Sequence, residues 1–355
     1  MRLALIGDGQ SPHLLKWARA LRACDVDLWA ASSRSFLPGF DDVLPPSRQL
    51  ALATSPSLEG GNLALLRCLP QLARWLRGVE PDVVHAHYLT SHGTLGWLAT
   101  RYLGVSGLLV GSAWGSDILV TPQRSARWRW LTRQVLQACA LSTSDSQVMA
   151  TRMRELGARE LMVFPFGLEA MPPAPAAKDD TLFFANRALE PLYAPQRVLA
   201  QFATLCGTQG RLVVAHDGSL RGALQQQAAA LGVADRVEFV GRLDAKAQAL
   251  HYARARWYLS LPTSDSVSVS VLEAMAQGCV PILCDLPANR ELVRHGDNGL
   301  IVPSGALLAP AELATVLPRA DAIAHANRAW VQQHALFAPC VQAFVARLSA
   351  LTQSP

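Results

Sequence analysis

One stretch sets the limits for everything else in this chain: TSDSVSVSVLEAMAQGCVPILCDLPANRELVRHGDNGLIV, running from Thr263 to Val302. A short polar loop (Thr263, Ser264, Asp265, Ser266) leads into VLEAMAQG, where Leu272, Met275 and Ala276 recur at helical spacing. Gly278 breaks the helix, and an apolar strand, Val280 to Cys284, follows. Loop, helix N-terminus and strand are the arrangement in which backbone N–H groups and the helix dipole hold phosphate. Two carboxylates frame it, Asp265 before the helix and Glu273 inside it. Taken alone, Glu273 reads as an ordinary solvated helix residue.

A chain of 355 residues suggests about two domains, and the rest of the sequence reads as two successive α/β halves. Leu3 to Ile6 is a compact apolar run, followed by a Gly-rich turn (Gly7 to Pro12) and a helix from His13 to Ala23. Strand, turn and helix open a Rossmann-like half. Pro12 leaves the G-x-G-x-x-G fingerprint incomplete, which disfavours a dinucleotide site. Val26 to Ala30 reads as a second strand, and Leu63 to Arg77 has helical spacing. Asp82 to Ala86 reads as a buried parallel strand with His85, His87 and His92 gathered at its carboxyl end, where open parallel sheets bind ligands. A metal site, a hydrogen-bonded structural cluster and a substrate-facing role for His87 or His92 are the alternatives there. No carboxylate joins the histidines at ligand spacing, so no metal is expected.

Leu108 to Gly111 and Leu141 to Ser146 continue the first half as strands. MPPAPAAKDD, residues 171–180, has three Pro and no periodicity and is read as a linker. Leu182 to Ala185 begins the second half, and a helix spans Leu220 to Leu231. A helix and strand from Ala249 to Leu261 then deliver the central stretch, and Ala-rich helical segments close the chain. The expected division is a first domain at 1–170, the linker, a second domain at 181–325 and a helical segment at 326–355.

The order of pieces in the central stretch resembles the retaining glycosyltransferases of family 4, which have the two-domain GT-B fold. That family carries an acidic pair, usually Glu-x7-Glu, inside E-G-F-G-x-x-x-x-E-A-M-A-x-G-x-P-V-I. Asp265 and Glu273 have this spacing, EAMAQGCVPI follows, and HGDNGLIV (His295 to Val302) matches the later D-G-x-N-G-x-L-V. The resemblance implies two Rossmann-like domains facing each other across a cleft, with the donor on the second and the acceptor on the first. It implies that Glu273 holds the ribose hydroxyls of a nucleotide sugar and Asp265 those of the transferred sugar. Two departures stand out: Asp replaces the first Glu and reaches one methylene less far, and Ser268 stands where the family has Gly.

The same resemblance extends outward on shorter pieces. The turn with Gly9 faces the donor phosphates in the family, and the VVHAH strand matches a D-V-V-H-x-H strand ahead of the acceptor region. SAWGSDIL matches T-x-H-G-x-D with Trp114 in place of the His, so any role of that His does not carry over, while Asp117 keeps its place. NRALEPLY resembles G-R-L-x-x-x-K-G, whose two cations neutralise the diphosphate; Arg187 fits, but Leu192 or Tyr193 occupies the Lys position. Arg242 is a candidate second cation. RLVVAHDGSL matches L-x-I-x-G-x-G-P-L with His216 for the first Gly, and RVEFVGRLD matches V-x-F-x-G-x-L. There the backbone of Gly241, Arg242 and Leu243 is implied to meet the nucleobase, and that of Ser268, Val269 and Ser270 the diphosphate. Asp265, Glu273, Asp117 and His87 are thus the catalytic candidates, with His92 and Trp114 on the acceptor side. The last helix, within Asn327 to Leu351, is implied to cross back to the first domain.

Composition narrows the partners. Half of the residues are apolar, enough for large cores, and the net charge of +5 is too small to imply nucleic acid. Seven scattered Cys without a C-x-x-C pair read as reduced, buried thiols of a cytosolic protein. The N-terminal apolar run is too short for a signal peptide, and no stretch reaches a membrane span's length. Arg124, Arg127, Trp130 and Arg133 fall three apart, so a basic, Trp-bearing helical face is expected there, suited to anionic lipid or an acidic acceptor, or simply solvated.

Together these features imply a cytoplasmic enzyme, in part peripheral on the inner membrane face. It would move a sugar with retention and without metal or other cofactor from a UDP- or GDP-sugar to a glycan, lipid-linked or protein acceptor. The alternatives are an inactive sugar-nucleotide-binding subunit and a GT-B nucleotide-sugar epimerase.

Overall fold

The structure is a computed structural model that describes residues 1–54, 63–173 and 177–353, so the middle of the 171–180 linker lies outside the described residues. The chain forms two compact units: Met1–Phe164 with the chain from Phe337 onward, and Pro165–Leu336.

The first unit is built on a seven-stranded, all-parallel sheet of β1 (Arg2–Gly7), β2 (Asp27–Ser32), β3 (Gln49–Ala51), β4 (Val83–His87), β5 (Leu108–Ser112), β6 (Leu141–Ser144) and β7 (Leu161–Val163), in the order β3-β2-β1-β4-β5-β6-β7. Its inner strands are covered on both faces, which is why they read as apolar runs without alternation. Helix α1 (Pro12–Arg22) starts where Ser11 Oγ accepts the His13 N–H at 3.2 Å, with Pro12 in the first turn where its missing N–H costs nothing. The helical spacing from Leu63 to Arg77 resolves into a 310 turn, Leu63–Cys68, and α2 (Leu69–Val79). Pro70 is the physical reason, because its ring excludes the carbonyl four residues back and allows an α-helix only to begin there.

Beyond β4 a π-helical turn, Leu89–Gly93, leads into α3 (Thr94–Tyr102). One-turn helices α4 (Ser116–Leu119) and α5 (Thr121–Arg124) precede α6 (Ala126–Ala138), and α7 (Gln147–Glu155) follows β6. Ser125 is extended (φ −165°, ψ 163°) and caps α6 through the Trp128 N–H at 3.3 Å. Arg124 therefore ends a separate helix and does not share the face of Arg127, Trp130 and Arg133, contrary to the spacing-based expectation. Helices α2, α3, α6 and α7 bury Leu72, Leu95, Val135 and Met149 in one core with Val84 and Ala86 of β4.

The second unit repeats the plan with six parallel strands: β8 (Asp179–Ala185), β9 (Arg211–Ala215), β10 (Val237–Gly241), β11 (Ala255–Ser260), β12 (Val280–Cys284) and β13 (Leu300–Val302), ordered β10-β9-β8-β11-β12-β13. Helices α8 (Pro195–Leu205), α9 (Arg221–Ala230), α10 (Ala245–Arg254), α11 (Val269–Ala276), α12 (Pro287–Leu292), α13 (Pro310–Val316) and α14 (Ala320–His334) surround it. Phe183, Val198, Phe202 and Leu224 pack on one face of the sheet, and Phe184, Tyr252, Met275 and Val331 on the other. Alternate residues of β8 thus point to opposite cores.

The last helix, α15 (Phe337–Gln353), belongs to the first unit. Its Phe337 and Phe344 lie with ring centroids 5.0 and 5.2 Å from Trp17 of α1, and Phe344 lies 5.0 Å from His85. In both sheets the strand order reverses beside the first strand, between β1 and β4 and between β8 and β11. Doubly wound sheets bind ligands at the carboxyl ends of such pairs. All seven Cys are free thiols, with Cys139, Cys206, Cys279 and Cys284 buried. Among the described residues, no helix is long and apolar enough to cross a membrane.

Candidate active site

In the second unit, Arg187 leaves the end of β8 and Asp265 sits in the loop after β11, so the switch point itself brings them together. Arg187 Nη2 lies 2.8 Å from Asp265 Oδ2, with 17% and 22% of the two side chains exposed. Burial works against the charge on Arg187, yet Asp265 and the surrounding tyrosines raise its pKa overall. Burial likewise raises the pKa of Asp265, and Arg187 opposes that shift. The guanidinium also donates to Ser268 Oγ and, at 3.2 Å, to Ser270 Oγ, and the two hydroxyls lie 2.9 Å apart. Its other face carries the Tyr193 ring, 4.5 Å from Cζ to centroid. Ser268 is the N-cap of α11 at φ −75°, ψ 126°, a conformation open to any L-residue, so the absence of Gly there brings no backbone strain.

A buried tyrosine pair links this cluster to Glu273, one turn along α11. Asn186 Nδ2 donates to Tyr252 Oη at 2.7 Å and Tyr258 Oη donates to Asn186 Oδ1 at 2.7 Å. Tyr252 Oη lies within hydrogen-bond distance of the Ser270 carbonyl (3.1 Å) and Glu273 Oε2 (3.2 Å). Burial holds both phenols neutral, pushing Tyr258 up to about 12. Glu273 lines a cavity of about 350 Å3 with Gln248, Tyr252, Gln277 and the Leu168–Pro172 segment. Gly241 ends β10 at φ +73°, a backbone that favours glycine, and its carbonyl accepts the His216 N–H at 2.6 Å. His216 is held at φ +88°, in the region where the family pattern has Gly. Arg242 is exposed and, among the described residues, makes no hydrogen bond or ion pair with the Arg187 cluster. Arg197 of α8 does reach the loop, donating to the Leu261 carbonyl at 3.3 Å.

In the first unit, Gly9 follows β1 and His87 ends β4. A Cβ on Gly9 would lie 2.7 Å from the Phe36 ring and 2.7 Å from the Ser35 carbonyl oxygen, so the turn closes only on glycine. The Trp114 indole N–H donates to His87 Nδ1 at 3.1 Å, which places the His87 proton on Nε2, a buried nitrogen without a hydrogen-bond partner among the described residues. Burial drives the His87 pKa well below its ordinary value, that of His92 down to about 4 and that of His85 to about 3. Asp117 is fully buried and spends its two oxygens on backbone amides, Leu89 at 2.8 Å and Trp114 at 2.9 Å. It fixes Trp114 and the π-helical turn in place instead of presenting a free carboxylate. Burial raises its pKa to about 6. Among the described residues no three His, Cys, Asp or Glu are grouped to hold a metal ion.

Sequence reasoning missed Asn186, Tyr252 and Tyr258, and marked Tyr193 only as one of two residues at the lysine position. The signal for Asn186 was its place beside Arg187 at a strand end; Tyr252 and Tyr258 left no comparable mark.

Comparison with known proteins follows the same division. Residues 2–151 match the family model described as glycosyl transferase 4-like, and residues 169–317 match glycosyl transferases group 1. A GDP-mannose-dependent alpha-mannosyltransferase of Mycobacterium tuberculosis is 27% identical over 298 residues, 79% of this chain and 71% of that protein. An alpha-monoglucosyldiacylglycerol synthase of Streptococcus pneumoniae is 35% identical over 85 residues, which is 23% of this chain and only 19% of that protein. A D-inositol 3-phosphate glycosyltransferase of Geodermatophilus obscurus is 26% identical over 62% of this chain and 56% of its own length. The fold is shared with Anabaena HepE solved with UDP-glucose, at TM-score 0.78 and 17% identity, over 99% of this chain and 100% of that one. It is shared equally with a sucrose-phosphate synthase from Thermosynechococcus elongatus, at TM-score 0.80, 17% identity and the same coverage. With two family models that between them take in most of its length, a doubly wound sheet in each unit and the GT-B architecture of these neighbours, the chain belongs to the group 1, family 4-like glycosyltransferases.

Proposed function

We propose that this chain transfers a sugar with retention, and without a metal ion, from a UDP- or GDP-sugar to a glycan, lipid-linked or protein acceptor. The observation that carries the reading is the meeting of Arg187, Asp265, Ser268 and Ser270 at the N-terminus of α11. A departing diphosphate would be stabilised there by the guanidinium, two hydroxyls and the helix end, all fixed before the reaction begins. Arg197, anchored on the same loop, supplies a second positive charge in the role for which Arg242 lies outside the cluster. Glu273, facing the cavity beside Tyr252, takes the ribose hydroxyls, and Asp265 those of the sugar.

In the transfer, the bond from the sugar C1 to the diphosphate oxygen breaks and the acceptor oxygen bonds to C1 on the same face. The acceptor proton passes to the departing phosphate, so no protein base is needed. On the first unit, His87 is neutral and stands at the carboxyl end of β4, on the side taken for the acceptor, with Trp114 fixing its tautomer and Asp117 fixing Trp114. Binding of the donor is tested by thermal stabilisation with a panel of UDP- and GDP-sugars, and the binding free energy appears directly as added stability. Stabilisation by one nucleotide class that Glu273→Gln reduces is the expected result; none with any member of the panel refutes the assignment. Retention is read from the anomeric configuration of the product.

A further inference from the structure

Apart from the donor and acceptor residues, the first unit has a surface of a different kind. From Val83 to Ser144 the chain has one carboxylate, Asp117, and that one is fully buried. The same segment has five arginines, at 101, 124, 127, 129 and 133, and all five are exposed. Helix α2, which packs beside α3, has no acid either and adds exposed Arg74 and Arg77. Among the described residues, the acids nearest in the flanking segments are Glu80 and Asp82, past the end of α2, Asp145, buried just after β6, and Glu155 of α7, which is paired with Arg152 at 2.6 Å. An unselected surface mixes the two signs, whereas this one presents one sign over three adjacent helices.

Aromatic side chains lie within that field. Tyr102 of α3 is 64% exposed and Trp130 of α6 is 58% exposed, unusually high for side chains of this size. Trp97 bridges them, its ring centroid 6.0 Å from Tyr102 and 6.3 Å from Trp130. Arg101 lies over the Tyr102 ring at 5.8 Å. Amphipathic rings flanked by arginine are the composition that settles at the headgroup level of a bilayer, the ring among acyl chains and the guanidinium at the phosphates.

We infer that the α3–α6 face of the first unit is a docking surface for an anionic lipid bilayer. The partner is the membrane surface itself: charge draws the face to acidic headgroups, and Tyr102 and Trp130 enter the interface. The inference is independent of the donor assignment, because binding is measured without any sugar nucleotide.

The experiment is co-sedimentation of the full chain with vesicles of phosphatidylcholine alone, or of phosphatidylcholine with phosphatidylglycerol, at low and high salt. Partition is expected to be strong only on the anionic vesicles and to fall with salt. The triple variant Arg101→Gln/Arg127→Gln/Arg133→Gln should lose on the order of a hundredfold in partition, from about tenfold or less per surface charge. A control triple on the second unit, Arg236→Gln/Arg254→Gln/Arg294→Gln, should partition like the parent chain. Brominated lipid should quench the tryptophan fluorescence of the parent chain, and Tyr102→Ser/Trp130→Ser should lose that quenching with an unchanged melting temperature. Equal partition on neutral and anionic vesicles, retention of binding by the first triple, or an equal loss in the control triple would overturn the inference.

Discussion

Neutralising Asp265 separates two roles that the structure superposes. In the present arrangement, the carboxylate is the counter-ion of Arg187 at 2.8 Å and, under the proposed function, the ligand of the sugar hydroxyls. Removing one partner of a fully buried pair costs about 3–5 kcal/mol. Here 17% and 22% of the side chains remain exposed and Ser268 and Ser270 still accept from the guanidinium, so about 2 kcal/mol is the expected cost of Asp265→Asn. For a unit of this size each kcal/mol lowers the melting temperature by about 2–4 °C, giving a fall of about 4–8 °C. Nucleotide binding should move the other way. A diphosphate competes with Asp265 for Arg187, and with the competitor gone, UDP or GDP alone should bind as tightly as before or several-fold tighter. The intact sugar nucleotide should lose that gain, and transfer should drop at least tenfold. Calorimetric titration with the nucleoside diphosphate and with its sugar conjugate, beside differential scanning of both proteins, reads all these quantities. Parallel weakening of both ligands would refute the competition, and unchanged turnover would remove Asp265 from the site.

Other perturbations test the remaining parts. Glu273→Gln should weaken nucleoside and nucleotide alike by about 1–3 kcal/mol, since a hydrogen bond to a charged group is lost, with little change in melting temperature; titration with the nucleoside alone checks it. His216→Gly relieves a strained backbone worth about 1–3 kcal/mol and adds chain entropy worth about 0.5–1, so a rise in urea midpoint is expected, and a fall would mean that the imidazole's contact with Asp217 matters more. Acid should unfold the first unit early. His85, His87 and His92 have pKa values depressed by burial, so the stability they confer is complete above the ordinary value of 6.5 and is lost as pH falls toward about 4 and about 3. At pH 5 this amounts to about 2 kcal/mol for each of His85 and His92, offset by about 1 from Asp117, whose raised pKa of about 6 favours the fold as it protonates. A urea midpoint at pH 5 no lower than at pH 7 would contradict the burial of these rings.

The legible parts of the sequence were those whose physics is local. Parallel strands buried on both faces leave apolar runs, and turns at their carboxyl ends leave Gly, Asp and Ser, so β1, β4, β8 and the loop before α11 could be read directly. Partners set by the reversal of strand order were not legible. Nothing near Arg187 in the chain says that Tyr193 will cover its face or that Tyr252, well over fifty positions on, will join Ser270 to Glu273. Periodicity also misled where a single residue interrupts it. Ser125 is extended and starts a new helix, so the row of basic residues that spacing placed on one face is broken at Arg124.

The departures from the family pattern look, one by one, like the loss of an anion site. An acid is shortened, a glycine gains a side chain and a lysine disappears. In the structure all three changes meet at one guanidinium. The short arm of Asp265 sets its carboxylate on Arg187, the hydroxyl of Ser268 accepts from the same group, and Tyr193, near the lysine's position, packs its ring on the same plane. Random decay would leave a buried charge unpaired or a cavity behind it, at a cost of several kcal/mol. Instead, each of these three residues has found a contact with the cation that remains, and Arg197 of α8 donates to the Leu261 carbonyl on the adjoining loop. That coordinated geometry favours a working site tuned around one arginine over an inactive relic. The Asp265→Asn titration tests that geometry, and transfer by the parent chain separates a working site from a subunit that only binds the nucleotide, since both would gain a free arginine for the diphosphate.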